Sequence, residues 1–410
     1  MALSAPRDYG APLMDPLRLQ LPVVGARETG PVPMDPATAA RYGLHERGPA
    51  RARGLVDRFG RGHTYLRISV TERCNLRCSY CMPEAGVALL PRDTLLTFEE
   101  IERLAALFVR LGVRKVRLTG GEPLVRRDID QLVARVGGLK RALPAPVGRS
   151  EGSALEGTGA ARLERLLITT NGLRLQPLLA GFRAAGLDAI NLSLDTLRPE
   201  RFRALTRRDG LAETLAAIRA AVAAGFKVKV NAVAMRGVND DELCDLARAF
   251  AGELGIEMRY IEYMPFDGNH WSDSQLLPAA QLRALLEREF TLEPQGLDLG
   301  EGGTAQIHLL TDRQGRRLPG RVGIISTMTE PFCSTCSRLR LTADGNLRWC
   351  LLDEGELELR APLRDGATDA ELAGLIEQAL GKKKAGHAPA DELLRGQAAG
   401  NARSMIRIGG

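Results

Sequence analysis

Seven cysteines in 410 residues are too few for a disulfide framework. No run of eighteen or more apolar residues occurs, so nothing reads as a transmembrane helix. Residues 1–16 have no apolar core and do not read as a secretory signal, and Asp8, Asp15 and Glu28 argue against a transit peptide. A strongly basic stretch is also missing. Lys and Arg number 56 against 50 Asp and Glu, a formal charge of +6, and acids stand among the bases along most of the chain. A surface that grips phosphate backbones clusters its bases. The run Lys382, Lys383 and Lys384 reads as a solvated face. What remains is 44% hydrophobic and 26% charged, a globular composition with chain enough for a sizeable core and more than one domain. The expectation is a cytoplasmic protein with reduced thiols and neither a membrane nor a nucleic-acid partner.

Residues 1–58 are rich in Pro, Gly, Ala and Arg and show no sustained period, which predicts a largely disordered extension. From 59 onward short β-type runs alternate with helical stretches. Candidate strands are 64–70, 114–119, 166–170, 189–194, 227–233 and 257–263. Candidate helices include 98–111, 211–224 and 240–254. Six βα units in series predict a parallel sheet with helices outside it. A closed eight-fold barrel needs two more units, so a partial (β/α)6 barrel of TIM type is expected over 59–265. Residues 142–161 read as an inserted loop. Beyond about 266 the rhythm stops. A helix at 275–290, strands at 304–310, 322–327 and 339–342, and a helix near 369–380 predict a C-terminal α+β domain over 266–410.

The strands alternate. Leu66, Ile68 and Val70 interleave with Arg67, Ser69 and Thr71; Val116 and Leu118 with Lys115, Arg117 and Thr119. Ile190, Leu192 and Leu194 interleave with Asn191, Ser193 and Asp195; Val228, Val230 and Ala232 with Lys227, Lys229 and Asn231. Successive side chains point to opposite faces. The apolar face must meet the helices, so the polar face lines the interior. A small closed barrel fills its interior with branched apolar side chains. An interior holding Arg67, Arg117, Ser193 and Lys229 implies a large polar ligand, and its cations favour an anionic one such as a polyphosphate. Lys227 shares the face of Lys229.

Cys74, Cys78 and Cys81 form C-x3-C-x2-C just after the first strand. Three thiolates in eight residues can hold one face of an iron–sulfur cube. A zinc site would need a fourth ligand, for which His63 is a candidate. Cys333, Cys336 and Cys350 form C-x2-C-x13-C. A second [4Fe–4S] cluster is the sharper reading. Zinc completed by Cys244 or His308 is the alternative, and Cys244 itself fits a buried helical position. Arg338 and Arg340 flank Leu339 and share one side of an extended segment, a fork for phosphate or carboxylate.

The first triad with Tyr80, followed one unit later by Gly120-Gly121-Glu122-Pro123, resembles the radical S-adenosylmethionine superfamily. Thr169-Thr170-Asn171-Gly172 and Ser193-Leu194-Asp195 extend the likeness. With the second triad, Arg338-Leu339-Arg340 and the terminal Gly409-Gly410, residues 59–410 resemble the GTP 3′,8-cyclase family of molybdenum-cofactor biosynthesis. The resemblance implies two [4Fe–4S] clusters, on Cys74, Cys78 and Cys81 and on Cys333, Cys336 and Cys350, with S-adenosylmethionine at Tyr80, Gly121, Ser193 and Met264. It implies GTP at Arg67, Arg117, Thr169, Lys229, Arg338, Leu339 and Arg340. Arg338, Arg340, Gly409 and Gly410 join the first triad as its catalytic residues. It further implies a reducing electron donor, handover of product to cyclic pyranopterin monophosphate synthase, and a monomer or homodimer. The extension and the 142–161 insertion have no counterpart in the family pattern. The rival readings are another radical enzyme with an auxiliary cluster and a zinc-dependent nucleic-acid-binding protein.

Overall fold

The structure is a computed structural model that describes residues 54–83, 85–141, 143, 161–297, 303–398 and 404–409. Residues 1–53 of the expected extension and nearly all of the 142–161 insertion lie outside the described residues. Residues 54–58 do not behave as a disordered extension. Leu55 and Asp57 are buried, at 3% and 5% exposure: Leu55 joins the main core, and Asp57 accepts from Phe59 N, Arg61 N and Arg61 Nε.

Among the described residues twelve strands make one sheet. In chain order they are β1 Tyr65–Ser69, β2 Lys115–Thr119, β3 Arg165–Thr170, β4 Ala189–Ser193, β5 Lys227–Ala234 and β6 Glu257–Glu262. Then come β7 Phe290–Leu297, β8 Gln306–Asp312, β9 Arg317–Ile325, β10 Arg338–Leu341, β11 Asn346–Arg348 and β12 Glu356–Glu358. The spatial order is β12-β11-β10-β1-β2-β3-β4-β5-β6-β9-β8-β7. β1 to β6 pair in parallel, as the βα rhythm predicts. The α/β partial barrel is therefore present.

The sheet does not stop where the rhythm stops. β10 adds in parallel to β1, and β9 adds in parallel to β6. Each end then continues through antiparallel strands to β12 and to β7. Eight adjacent strands thus run in parallel, two of them from the C-terminal segment. Among the described residues the ladder ends at β7 and β12, so the barrel stays open.

The helices cover the outer face for a local reason. Thr97 opens the helix Phe98–Arg110 with a reciprocal cap: its Oγ1 accepts from Glu100 N at 3.2 Å, and Glu100 accepts from Thr97 N at 2.8 Å. Ile101, Leu104, Leu107 and Phe108 then point at the sheet and are wholly buried, opposite Leu66, Ile68, Val116 and Leu118. Each such side chain contributes about 1.5–3 kcal/mol on burial. The expected helix 240–254 divides into a 3-10 turn, an α-helical turn and a π-helical stretch Arg248–Glu253. Cys244, expected to be buried, is half-buried at the edge of the core, with its thiol 3.5 Å from Leu285 O. No helix among the described residues is long and apolar enough to cross a membrane.

Candidate active site

The inner faces of β1 to β6, β9 and β10 surround a cavity of about 220 Å³. Register explains its charge. Arg340, Arg67 and Arg117 are direct partners across β10, β1 and β2, so all three side chains reach inward at one level. On β3 the partner of Arg117 is Leu167; Thr169, two residues further on, begins a second level of the ring, which Asn191, Lys229 and Glu257 continue in register across β4 to β6. All of these except Leu167 and Glu257 line the cavity, as do Ser193, Arg338 and Met264. Lys229 is 3% exposed and faces in, whereas Lys227 at the strand end is exposed, which resolves that pair.

Leu339 is the exception among the expected GTP contacts. It lies between two inward arginines on an alternating strand, so its side chain points out into the apolar core at 0% exposure. It is corrected to a core residue. Two cavity residues had escaped the sequence reading. Arg259 follows Glu257 by two on β6, and Tyr65 precedes Arg67 by two on β1. The same two-residue period, run over β6 and to the start of β1, selects both.

The cations are tightly organised. Arg117 donates to Tyr65 Oη at 2.5 Å and to Thr169 Oγ1 at 3.2 Å. Burial alone would raise the Tyr65 phenol, but the charges of Arg117, Arg67 and Lys115 pull it down to about 6. Burial lowers Arg67 to about 10, with Arg117 and Arg338 adding to the fall and Tyr65 opposing it. Arg340 is held well below the usual range by burial and then by Arg67 and Arg338. Lys229 pairs with Glu257 at 3.2 Å, and Glu257 also binds Arg321 at 2.6 Å and Arg259. Burial raises Glu257, but these three cations hold it near 2. Three mutually repelling guanidiniums at one level favour a polyanion between them.

The first triad sits at the mouth of this ring. Its loop is pinned to the helix Pro199–Thr206 by Arg77 N to Thr206 O and Ser79 N to Leu205 O, each 2.9 Å. The second strand's turn is stitched to the same loop: Gly121 N donates to Thr71 O at 2.7 Å and Glu122 N to Arg73 O at 2.8 Å. A Cβ on Gly121 would lie 2.5 Å from Arg73 O, so glycine is required there. Glu122 accepts from Thr170 Oγ1, Asn171 N and Leu124 N at 2.7–3.0 Å, which locks this turn to the end of β3. Burial nevertheless raises its carboxyl to about 7. Cys74, Cys78, Cys81, Tyr80 and Gly121 all line the cavity. The Tyr80 hydroxyl donates to Asp195 at 2.7 Å, and burial raises Asp195 to about 6. Burial pushes Cys74 up to about 11 and, with Cys74 and Asp195 adding to it, Cys81 up to about 12.

The second triad is assembled by a hairpin. Cys333 and Cys336 sit on a 3-10 turn before β10, with Cys336 N bonded to Cys333 O at 3.2 Å. β10 and β11 pair antiparallel through Arg340–Arg348 and Leu341–Leu347, which returns Cys350 beside Cys336. The thirteen-residue gap is thus one hairpin. All three cysteines line a smaller cavity whose wall shares Arg338, Arg340, Thr327 and Leu351 with the larger one. Its charge environment is divided: burial raises Cys333, with Cys350 and Cys336 adding to the rise. Burial raises Cys336, but Arg338 and Lys383 outweigh it and bring the thiol to about 7. Among the described residues no three Cys, His, Asp or Glu side chains converge on one ion-sized point, the arrangement a mononuclear zinc site needs.

The tail enters the large cavity. Met405 and Ile406 line it, and Arg340 donates to Gly409 O at 2.7 Å. Gly410 lies outside the described residues.

Residues 68–250 match the Radical SAM superfamily, and residues 256–389 match Molybdenum Cofactor Synthesis C. A solved structure of Streptococcus suis SuiB bound to S-adenosylmethionine shares the fold, with a TM-score of 0.50 at 16% identity over 77% of this chain and 68% of that one. The class is thus a radical S-adenosylmethionine protein, whose cofactors are S-adenosylmethionine and an iron–sulfur cluster. The GTP 3′,8-cyclase of Corynebacterium glutamicum is 43% identical over 83% of this chain and 86% of its own length. The mitochondrial GTP 3′,8-cyclase of Arabidopsis thaliana is 43% identical over 87% and 83%. The chain belongs to the GTP 3′,8-cyclase family. Molybdenum cofactor biosynthesis protein 1 of Drosophila melanogaster is 46% identical over 82% of this chain but only 55% of that protein. The chain spans about half the length of such curated relatives.

Proposed function

We propose that this chain is a GTP 3′,8-cyclase acting in molybdenum-cofactor biosynthesis. It converts GTP to 3′,8-cyclo-7,8-dihydro-GTP. The observation that carries the reading is one cavity with the first triad at its mouth, the second triad against its wall and Arg67, Arg117 and Arg340 level across three strands.

The residues divide the work. Cys74, Cys78 and Cys81 hold one [4Fe–4S] cluster, and Tyr80, Gly121, Ser193 and Met264 form the S-adenosylmethionine bed. When bound, that cofactor pair supplies the 5′-deoxyadenosyl radical that takes the ribose 3′ hydrogen. Cys333, Cys336 and Cys350 hold a second [4Fe–4S] cluster at the guanine end. Arg67, Arg117, Thr169, Lys229, Arg338 and Arg340, joined by Arg259, grip the triphosphate and ribose. Fixing both ends keeps the 3′ carbon beside the radical source and C8 within bonding reach of it, since small misplacements cost rate steeply. Gly409 closes the cavity around the substrate. A reducing electron donor completes the reaction, and the product passes to cyclic pyranopterin monophosphate synthase.

The test is anaerobic incubation of the reconstituted protein with GTP, S-adenosylmethionine and a strong reductant. The expected result is 5′-deoxyadenosine, methionine and the cyclised nucleotide in equal amounts. Unaltered GTP beside a fully loaded protein overturns the substrate assignment. About eight irons and eight sulfides per chain support both clusters; a colourless protein with zinc overturns them.

A further inference from the structure

The lysine run has an unexpected member. Lys382 and Lys384 are exposed, as a solvated face requires. Lys383 is 3% exposed and turns inward. Its Nζ donates to Trp349 O at 2.5 Å and Arg338 O at 3.3 Å, and stands 4.0 Å from Cys336 Sγ. These acceptors straddle the second triad. Arg338 follows Cys336 by two residues, and Trp349 immediately precedes Cys350. An ammonium carries three donors, and the three directions account for them.

A buried ammonium is costly unless an anion accompanies it. Among the described residues no carboxylate lies within ion-pairing distance of Lys383. The anionic partners on offer are the thiolates of the second triad. The backbone that carries Lys383 is also clamped. Arg61 donates to Lys384 O at 2.6 Å, Ala385 O at 2.7 Å and Cys333 O at 2.8 Å, and Asp57 holds Arg61 at 2.6 Å. One guanidinium therefore ties the lysine's loop to the first ligand of the triad. Neither the run of three lysines nor any family motif predicts this.

We infer that Lys383 is a positioning residue of the second cluster, bracing the two chain segments that carry Cys336 and Cys350 and setting a fixed positive charge beside the ligand sulfurs. The inference rests on the proposed [4Fe–4S] occupancy of that triad. Hydrogen bonds to ligand sulfurs and the net charge around a cluster set its reduction potential. A cation there favours the more negative, reduced form and raises the potential. A lysine that only filled space would leave the potential where it is.

The experiment uses the full chain with Cys74, Cys78 and Cys81 all replaced by Ala, so that only the second triad can be loaded. Four forms are compared in that background: Lys383, Lys383→Arg, Lys383→Met and Lys383→Gln. Iron is counted after anaerobic reconstitution, and the midpoint potential is read by a redox titration followed by electron paramagnetic resonance. The expected result is about four irons in the parent, a midpoint moved to more negative potential in Lys383→Met and Lys383→Gln, and a midpoint near the parent's in Lys383→Arg. Loss of iron in the Met and Gln forms with retention in the Arg form also supports the bracing charge. An unmoved midpoint in Lys383→Met at full iron overturns the inference, as does an equal shift in Lys383→Arg. A parent without iron overturns the second-cluster reading itself.

Discussion

Tyr65 shows how a single side chain organises the cavity. Its oxygen accepts from Arg117 at 2.5 Å while the Lys115 ammonium stands 4.4 Å from its ring centre. Removing the oxygen leaves a buried guanidinium donor without its acceptor, a loss of about 1.5–3 kcal/mol for a charged bond. Tyr65→Phe is expected to raise KM for GTP about ten-fold, because 1.4 kcal/mol is a factor of ten. The cluster chemistry is untouched, so kcat should move less. Steady-state kinetics at saturating S-adenosylmethionine check this, and an unchanged KM rejects it. Gly409 is a second case. Its φ is +70°, and a Cβ would lie 2.7 Å from Thr119 Oγ1 and 3.0 Å from Ser69 Cβ. Gly409→Ala cannot seat the tail as it is. Turnover is expected to fall more than ten-fold with iron content unchanged; wild-type turnover in that variant removes the tail from the mechanism. Most of the cavity residues are legible in the sequence, because a two-residue period is a geometric statement about β-strands. Arg67, Arg117, Ser193 and Lys229 come from it directly. The same period that turns Arg338 and Arg340 inward sends the Leu339 side chain to the core, which the arginine–leucine–arginine motif taken as a unit does not distinguish.

At the scale of elements, the segment before β1 does more than lead into the barrel. His63 is 1% exposed, with Nε2 3.2 Å from Asp57 Oδ2, beside the Arg61 that grips the Cys333 loop. Burial, then the charge of Lys383, lowers His63 to about 4, with Asp57 opposing the fall. The unfolded chain takes up this proton near pH 6.5. Between about 6.5 and 4 the unfolded state therefore binds more protons at this position, and stability is lost as pH falls, by up to about 1.4 kcal/mol per pH unit. Glu122 and Asp195, raised to about 7 and about 6, act with the opposite sign over much of that range. The difference between variant and parent thus carries the test. His63→Gln is expected to lose less Tm than the parent between pH 7 and pH 5, and parallel slopes reject the assignment. This element was hidden in the sequence because Pro-, Gly- and Arg-rich chain has no period, and its order comes from contacts with residues 333 and 384–385, far away in the chain. β7, β11 and β12 were missed for a related reason. β11 and β12 have three residues each, and β7 carries Pro294 and a register shift next to Gly296, so none presents a clean alternation.

For the whole molecule, the sheet order makes the N-terminal six strands dependent on the C-terminal ones. β1 and β6 would be the edges of a six-stranded open barrel. Instead β10 covers β1 over four paired positions, and β9 covers β6 over five. An uncovered flat edge is a template for aggregation, and both edges here carry cavity-lining cations, Arg67 on β1 and Arg259 on β6. β10 also brings Arg340 into register with Arg67, so the ring and the barrel edge are completed by the same strand. The six βα units were legible as a repeating rhythm, but no local pattern tells which edge a later strand will join. A chain stopped after residue 265 would lose both covering strands at once. Each ladder bond contributes roughly 1 kcal/mol net, so the loss is several kcal/mol against a typical total of about 5–15 kcal/mol. The truncated chain is expected to give no soluble monomer with a cooperative thermal transition, even with the first triad reconstituted. Supplying residues 266–410 in trans restores the missing strands only if they dock at both edges. A monomeric truncated chain that melts cooperatively, at a Tm within a few degrees of the parent, would mean that the six-stranded barrel is self-sufficient and that the C-terminal strands serve the site alone.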